Sequence, residues 1–321
     1  MANYEMIFDM GSAYISAGLK NDGFFDKIPS VVAFSGDSNQ IVAVGVEALR
    51  MASGYGGGGV RLANPILQGA IIDVEGVKAL ISSLLERLCN YKMSAFSRYN
   101  VACVVPCGAS SADKKNFETT FLGLGAKQVS FVETPVADSF KLFKDFRARQ
   151  GIIVNIGYDC TDIAAVCASA IVAGCTVYYS GKSLTEKIID FIKIKYKIQL
   201  PYDQGEYLKT SCVSLYPNDS SVCMVTGQNT ENGQTESVNV SSKELYDTVA
   251  EFVSKYVRII QAVIASVPAD MSASLKADGV MLCGGGAKLA GLDVFLYNEL
   301  KIPVRIADLP EDVTIVSMLE V

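Results

Sequence analysis

Histidine is missing from all 321 positions of this chain, which excludes histidine-based acid–base catalysis. The nine cysteines form no Cys-x-x-Cys pair, and with histidine absent this excludes zinc ligation as well. Several of them (Cys103, Cys167, Cys175, Cys283) lie inside apolar runs, the pattern of buried, reduced thiols in a cytosolic chain. No window reaches transmembrane length, and the N-terminus lacks a charged region followed by an apolar core and a cleavage site. The expected location is therefore intracellular. Basic patches are lacking too: 28 Lys and Arg against 34 Asp and Glu give a net charge of −6, with a pI near 4.9, which argues against a nucleic-acid groove.

Present instead are three short glycine-bearing segments, far apart in the chain. Phe8-Asp9-Met10-Gly11-Ser12 and Val154-Asn155-Ile156-Gly157-Tyr158-Asp159-Cys160-Thr161 each follow an apolar run and lead into an alternating one, Ile15 to Leu19 and Ile163 to Val166. Each reads as strand, tight turn, strand. A phosphate needs backbone N–H groups at close range, and a turn of small residues allows that approach. Gly11 and Gly157 supply the opening, with Ser12, Ala13, Tyr158, Asp159 and Cys160 as the surrounding turn residues. Asp9 is placed to hold a water of a hydrated Mg²⁺, because magnesium keeps most of its waters and uses few protein groups. The third segment, Cys283-Gly284-Gly285-Gly286-Ala287, follows the apolar run Gly279 to Leu282 and precedes Lys288 to Leu292, which predicts strand, loop and helix start. Such a loop can lie flat against an adenosine. Each segment alone is ordinary hairpin or loop chemistry.

Periodicity predicts an α/β chain in two halves. One helix is expected over 74–88, with Val77, Leu80, Ile81, Leu84, Leu85 and Leu88 on one face, a second near 112–122, and a long one over 242–267 stopped by Pro268. Residues 151–166 repeat the hairpin of the first half. Gly54 to Gly59 lacks the Lys-Ser or Lys-Thr ending of a phosphate loop and reads as linker. The polar stretch 227–237 reads as the tip of a subdomain hairpin.

Together and in this order, the three segments resemble the ATPase signature of the actin, sugar-kinase and heat-shock chaperone superfamily. Within it the chain is most similar to the bacterial actin MreB and its relatives. That resemblance is carried along nearly the whole length by Pro29 to Phe34, Val42 to Ala48, Asn64 to Glu75, Val104-Val105-Pro106-Cys107-Gly108-Ala109, Val132-Glu133-Thr134-Pro135-Val136-Ala137 and Ser180-Gly181-Lys182-Ser183-Leu184-Thr185. It implies an actin-like ATPase fold of two duplicated ribonuclease-H-like domains: 1–147 with a small inserted subdomain at about 31–63, and 148–321 with one at about 182–263. It further implies ATP or ADP with Mg²⁺ as cofactors, Asp9 and Asn155 on the metal side, and Gly284, Gly285, Gly286 and Ala287 at the nucleoside. Glu133 then matches the glutamate that orients the attacking water, with Thr161 beside it; the same carboxylate would also suit a helix N-terminus. Gly181, Lys182 and Glu206 match purine and ribose contacts, while Lys182 and Glu206 also suit exposed helical charges.

The function implied is polymerisation into an open homopolymer filament coupled to ATP through a hinge, serving cell shape or another intracellular scaffold. A peripheral contact with the inner face of the membrane is implied through Met93 and Phe96, flanked by Lys92 and Arg98. Two departures stand out. Where the family's second hairpin begins with aspartate, continues through glycines and ends in two threonines, this chain has Asn155, Tyr158, Asp159 and Cys160, which predicts slow or absent hydrolysis with binding retained. Residues 311–321 are apolar enough for a strand or short helix and fall within the second domain. A nucleotide-insensitive adaptor and a small-molecule kinase on the same fold are the alternatives; a chaperone would need a substrate-binding domain that does not follow.

Overall fold

The computed structural model describes residues 3–20, 22–36, 38, 40–53, 59–92, 98–143 and 150–321. They fall into two compact units, Met1–Arg147 with Asp312–Val321, and Ala148–Glu311.

The first unit runs β1 (Asn3–Met10), β2 (Tyr14–Leu19), β3 (Phe25–Pro29), β4 (Val32–Ser35), β5 (Ile41–Val44), α1 (Gly45–Ser53), β6 (Val60–Ala63), the short pair β7 (Ile66–Leu67) and β8 (Ala70–Ile71), α2 (Val74–Lys92), β9 (Arg98–Val105), α3 (Ser111–Gly123), β10 (Val129–Glu133) and α4 (Thr134–Leu142). Its main sheet has the order β10-β9-β1-β2-β3, and β5-β4-β6 form a smaller one. β1 and β9 are apolar on both faces because both are covered. Met6, Phe8, Cys103 and Val105 pack with Leu80, Leu84, Phe117 and Phe121 of α2 and α3, and the Phe8 and Phe121 rings meet at 4.9 Å. The alternate residues Ile7, Ala102 and Val104 pack with Ala137 of α4 on the other side, as the period of two requires.

The second unit runs β11 (Gln150–Ile156), β12 (Thr161–Cys167), β13 (Ala170–Val177), α5 (Gly181–Tyr196), β14 (Ile198–Gln199), α6 (Tyr202–Ser211), β15 (Val222–Asn229), β16 (Thr235–Ser241), α7 (Ser242–Ser266), α8 (Ala269–Asp278), β17 (Val280–Cys283), α9 (Leu292–Leu300) and β18 (Val304–Ile306). Its sheet, β13-β12-β11-β17-β18, repeats the first in order and in sense. A hairpin and a third antiparallel strand lie on one side, and two parallel strands on the other. The repeat expected from the two hairpins therefore extends to five strands. The apolar stripe of α7, from Leu245 through Val249, Phe252, Val253, Tyr256 and Ile260 to Val263, is core. The helix ends at Ser266 because Val267, preceding Pro268, is extended.

Residues 227–237 form the tip of the β15–β16 hairpin as expected, with Gly227↔Glu236 and Gln228↔Thr235 still paired in its ladder. One expectation needs correction: the last ten residues leave the second unit. They form α10 (Val313–Leu319), whose Ile315, Met318 and Leu319 close the Ile7 face of the first sheet. There Thr314 Oγ1 donates to the fully buried Asp138 carboxylate at 2.7 Å. The glycines 54–58 lie outside the described residues.

Thr314→Val takes a donor from a buried carboxylate, and we expect a loss of about 2 kcal/mol in urea unfolding. A second outcome concerns the α7 capping box, in which Ser241 and Glu244 bond each other's backbone amides. Lys195, with Tyr196 at 2.6 Å, holds the Glu244 carboxyl down at about 2. A depressed carboxyl stabilises the fold above its ordinary value near 4.5 and loses that contribution as pH falls toward 2. Glu244→Gln is therefore expected to cost about 1 kcal/mol at pH 7 and nothing at pH 2, read from paired denaturation curves.

Candidate functional site

In the first unit the glycine turn sits at the carboxyl ends of the parallel strands, where open α/β sheets take ligands. A Cβ on Gly11 would come within 2.6 Å of the Tyr14 carbonyl oxygen, so the turn requires glycine. Ser12, itself buried, has its carbonyl bonded by Asn64 Nδ2 at 3.1 Å, and Ala13 has its carbonyl bonded by the Ser30 amide at 2.8 Å. Asp9, two residues before the glycine, is partly buried. Desolvation pushes its carboxyl up to about 6; Lys27 opposes this and Asp312 adds to it. Lys27 bonds Asp312 at 2.6 Å and lies over the Tyr14 ring.

Glu133 ends β10. Asp9 pairs with Val104 and Glu133 with Val105, so the two residues stand two strands apart and on opposite faces of the sheet, because successive residues of β9 alternate. Glu133 is the N-cap residue of α4 but caps nothing with its side chain. Its carboxylate bonds Lys114 Nζ at 2.9 Å, a partner across α3 that sequence spacing could not reveal.

In the second unit the turn repeats: the Gly157 amide donates to the Cys160 carbonyl at 2.9 Å. α5 closes onto it. The amides of Gly181 and Lys182 donate to the carbonyls of Gly157 (3.0 Å) and Tyr158 (2.6 Å), while Ser183 N turns to the capping hydroxyl of Ser180. The first donors of α5 are thus spent on the protein itself. Asp159 is buried in that turn.

The third glycine segment presses on the end of β11, parallel neighbour of β17. A Cβ on Gly284 would lie 2.4 Å from the Ile156 carbonyl oxygen and 2.6 Å from Asn155 Oδ1; one on Gly286 would lie 2.2 Å from Ile156 Cγ2. Gly284 also has φ +76° and ψ 166°, a region essentially reserved for glycine. Gly285 faces open space, and Ala287 is buried. Asn155, Gly157 to Cys160, Gly181, Lys182 and Gly284 to Ala287 therefore gather at one end of this sheet.

Glu206 joins them through groups that sequence reading missed. Its carboxylate accepts from Thr185 Oγ1 at 2.6 Å and Lys209 Nζ at 2.8 Å, and Lys209 also donates to the Gly181 carbonyl at 3.0 Å. The i, i+3 spacing of Glu206 and Lys209 was the available signal. Thr161 is fully buried, and its hydroxyl donates to the Tyr179 carbonyl at 2.6 Å. Glu133 and Thr161 also belong to different units. Met93 and Phe96 lie outside the described residues. Among the described residues there is no group of three or more acidic or thiol ligands for a metal, and no helix is long and apolar enough to cross a membrane.

Residues 3–320 match the family of the MreB/Mbl protein. The chain belongs to that family. It is 30% identical over 306 residues to the cell shape-determining protein Mbl of Bacillus subtilis strain 168, covering 95% of this chain and 91% of the relative. It is 25% identical over 316 residues to the cell shape-determining protein MreB of Escherichia coli K12, covering 97% and 90%. Among solved structures it resembles MreB5 of Spiroplasma citri bound to AMPPNP, with a TM-score of 0.90 at 21% identity over 99% of this chain and 95% of that one. It also resembles a MamK double helical filament, with a TM-score of 0.82 at 17% identity over 99% and 98%. The fold of this MreB/Mbl protein is thus the actin-like one.

Gly284→Ala would combine the steric overlap at Ile156 with a disallowed backbone angle. We expect a loss of about 3 kcal/mol in chemical denaturation, whereas Ala at the open Gly285 should stay within about 1 kcal/mol of the parent.

Proposed function

We propose that this MreB/Mbl-family chain is an actin-like cytoskeletal protein that binds adenine nucleotide, assembles into filaments of its own copies and serves cell shape. The observation that carries this reading is the convergence, in the second unit, of a tight glycine turn and a glycine loop that overlaps β11 too closely for any side chain. Such bare backbone at strand ends is what phosphate and a flat nucleoside require.

In this reading Gly11, Ser12 and Ala13 in one unit, and Gly157 to Cys160 in the other, offer turn amides to phosphate oxygens. Gly284 to Ala287 lie against the base, with Gly181, Lys182, Glu206 and Lys209 toward the sugar and purine. Asp9 fits a hydrated magnesium ion, because a desolvated carboxyl gains from a cation and magnesium asks few protein groups for ligation. Magnesium, when bound, would neutralise phosphate charge. Glu133, fixed by Lys114, orients water. Asn155 offers only an amide oxygen, and Thr161 is committed to Tyr179, so turnover is slow. A peripheral contact with an anionic inner leaflet through Met93 and Phe96 belongs to the same proposal. The commitment of Thr161 also favours a second reading, an actin-fold adaptor whose assembly ignores nucleotide.

Sedimentation and negative-stain microscopy with ATP, with ADP and without nucleotide, alongside phosphate release, separate the two. Filaments that need ATP are the expected result. Filaments in every condition support the adaptor, and no filaments in any condition refute self-assembly.

A further inference from the structure

The turn of the second hairpin carries a side chain that its counterpart in the first unit does without. Both turns set a glycine against the carbonyl three residues on, Tyr14 for Gly11 and Cys160 for Gly157. The next residue is Ser12 in one turn and Tyr158 in the other. Serine therefore suffices to make this turn, and the backbone does not demand the Tyr158 ring. The core does not demand it either, since Tyr158 is half-buried and stands outside the hydrophobic cluster of its unit.

What the ring meets is Tyr202, the first residue of α6. The ring centroids are 6.4 Å apart with planes at 73°, the edge-to-face arrangement that aromatic quadrupoles favour. Burial first, and the Tyr158 phenol next, raise the Tyr202 hydroxyl well above its usual value, with Glu206 and Thr185 also nearby. The pair thus bridges the hairpin turn and the Thr185–Glu206–Lys209 cluster. Main-chain bonds to Gly181 and Lys182 already hold the same turn to α5, so the ring adds a second, independent anchor to α6.

We propose that Tyr158 and Tyr202 form a latch that fixes the phosphate hairpin to α6 and slows turnover of a bound nucleoside triphosphate, an inference that rests on the nucleotide-binding function above. In that hydrolysis the water oxygen bonds to the γ-phosphorus while its bond to the β–γ bridging oxygen breaks. The water proton ends on the released phosphate, and nothing is oxidised or reduced. Catalysis of this kind consists of placing N–H donors as charge moves toward the bridging oxygen. A turn tied down through a ring follows that movement poorly. Tyr158 is then a positioning residue, and Tyr202 acts through it.

The test uses the full chain with Tyr158→Gly, Tyr202→Ala, Tyr202→Phe and the Tyr158→Gly/Tyr202→Ala pair. Binding of a fluorescent ADP analogue, steady-state phosphate release from ATP and thermal melting are read for each. The latch requires Tyr158→Gly and Tyr202→Ala each to raise kcat about fivefold or more with KM within about twofold. It requires the double variant to match the singles, because the two rings act as a unit, and Tyr202→Phe, which keeps the ring, to stay within about twofold of the parent. Should Tyr158→Gly fail to fold, Tyr202→Ala, outside the hairpin, decides alone. An unchanged kcat, or a kcat that falls together with the melting temperature, overturns the latch while nucleotide binding stands. A parent chain that does not bind the ADP analogue overturns both the latch and the reading beneath it.

Discussion

The second unit depends on how closely the chain leaving β17 passes over the end of β11. With β17 parallel to β11, that chain must cross its neighbour's last residues before it can turn into α9, and methyl groups at Gly284 and Gly286 would overlap Ile156. Because this crossing admits no side chain, it fixes where β11 ends and so where the Gly157 turn begins. α5 is then placed by the bonds from its first amides to that turn, and α6 by the Lys209 bond to Gly181. Segments from Gly157 to Gly286 thus share one packing constraint. A helix start already bonded to protein carbonyls has little to give an external anion, which is why the proposed function puts phosphate at the hairpin.

The duplication makes the two units a comparison within one molecule. Asp9 and Asn155 each lie two residues before their glycine, on equivalent strands. The first is a carboxylate raised by desolvation, beside Lys27 and Asp312. The second is a neutral amide whose oxygen stands 2.6 Å from where a Cβ of Gly284 would be. An ionised group pressed against packed backbone in this way carries a desolvation penalty that an amide avoids. The charge expected at this strand position from the resemblance is absent where the glycine loop packs most tightly. Negative charge in the second turn comes instead from buried Asp159.

What could be read in the sequence was local and periodic. The stripes of α2 and α7, both glycine turns and the loop after β17 follow from spacing alone, because 3.6-residue and two-residue periods and glycine requirements are written along the chain. The fate of residues 311–321 was not legible. Val313, Ile315, Met318 and Leu319 are apolar on nearly every side, which predicts burial but not against which sheet, and the Thr314–Asp138 bond that marks the partner spans 176 positions. Lys114 on Glu133, and Thr185 on Glu206, are likewise meetings of separate elements. Composition was enough at Gly227 to Ser237, where a polar, glycine-bearing stretch forms the end of the β15–β16 hairpin.

Thr161 shows how these constraints bear on chemistry. Its hydroxyl and that of Tyr256 both donate to the Tyr179 carbonyl, at 2.6 and 3.1 Å, and burial raises the Tyr256 phenol far enough to keep it protonated. Turning Thr161 outward would remove one of two donors from the Tyr179 carbonyl. That rearrangement costs on the order of 1–3 kcal/mol, which favours the inward rotamer by roughly fivefold to a hundredfold or more. On the proposed function, water orientation then falls to Glu133 and phosphate charge to the turn amides. If the chain hydrolyses nucleotide as proposed, its rate is then set by how freely the second turn can move.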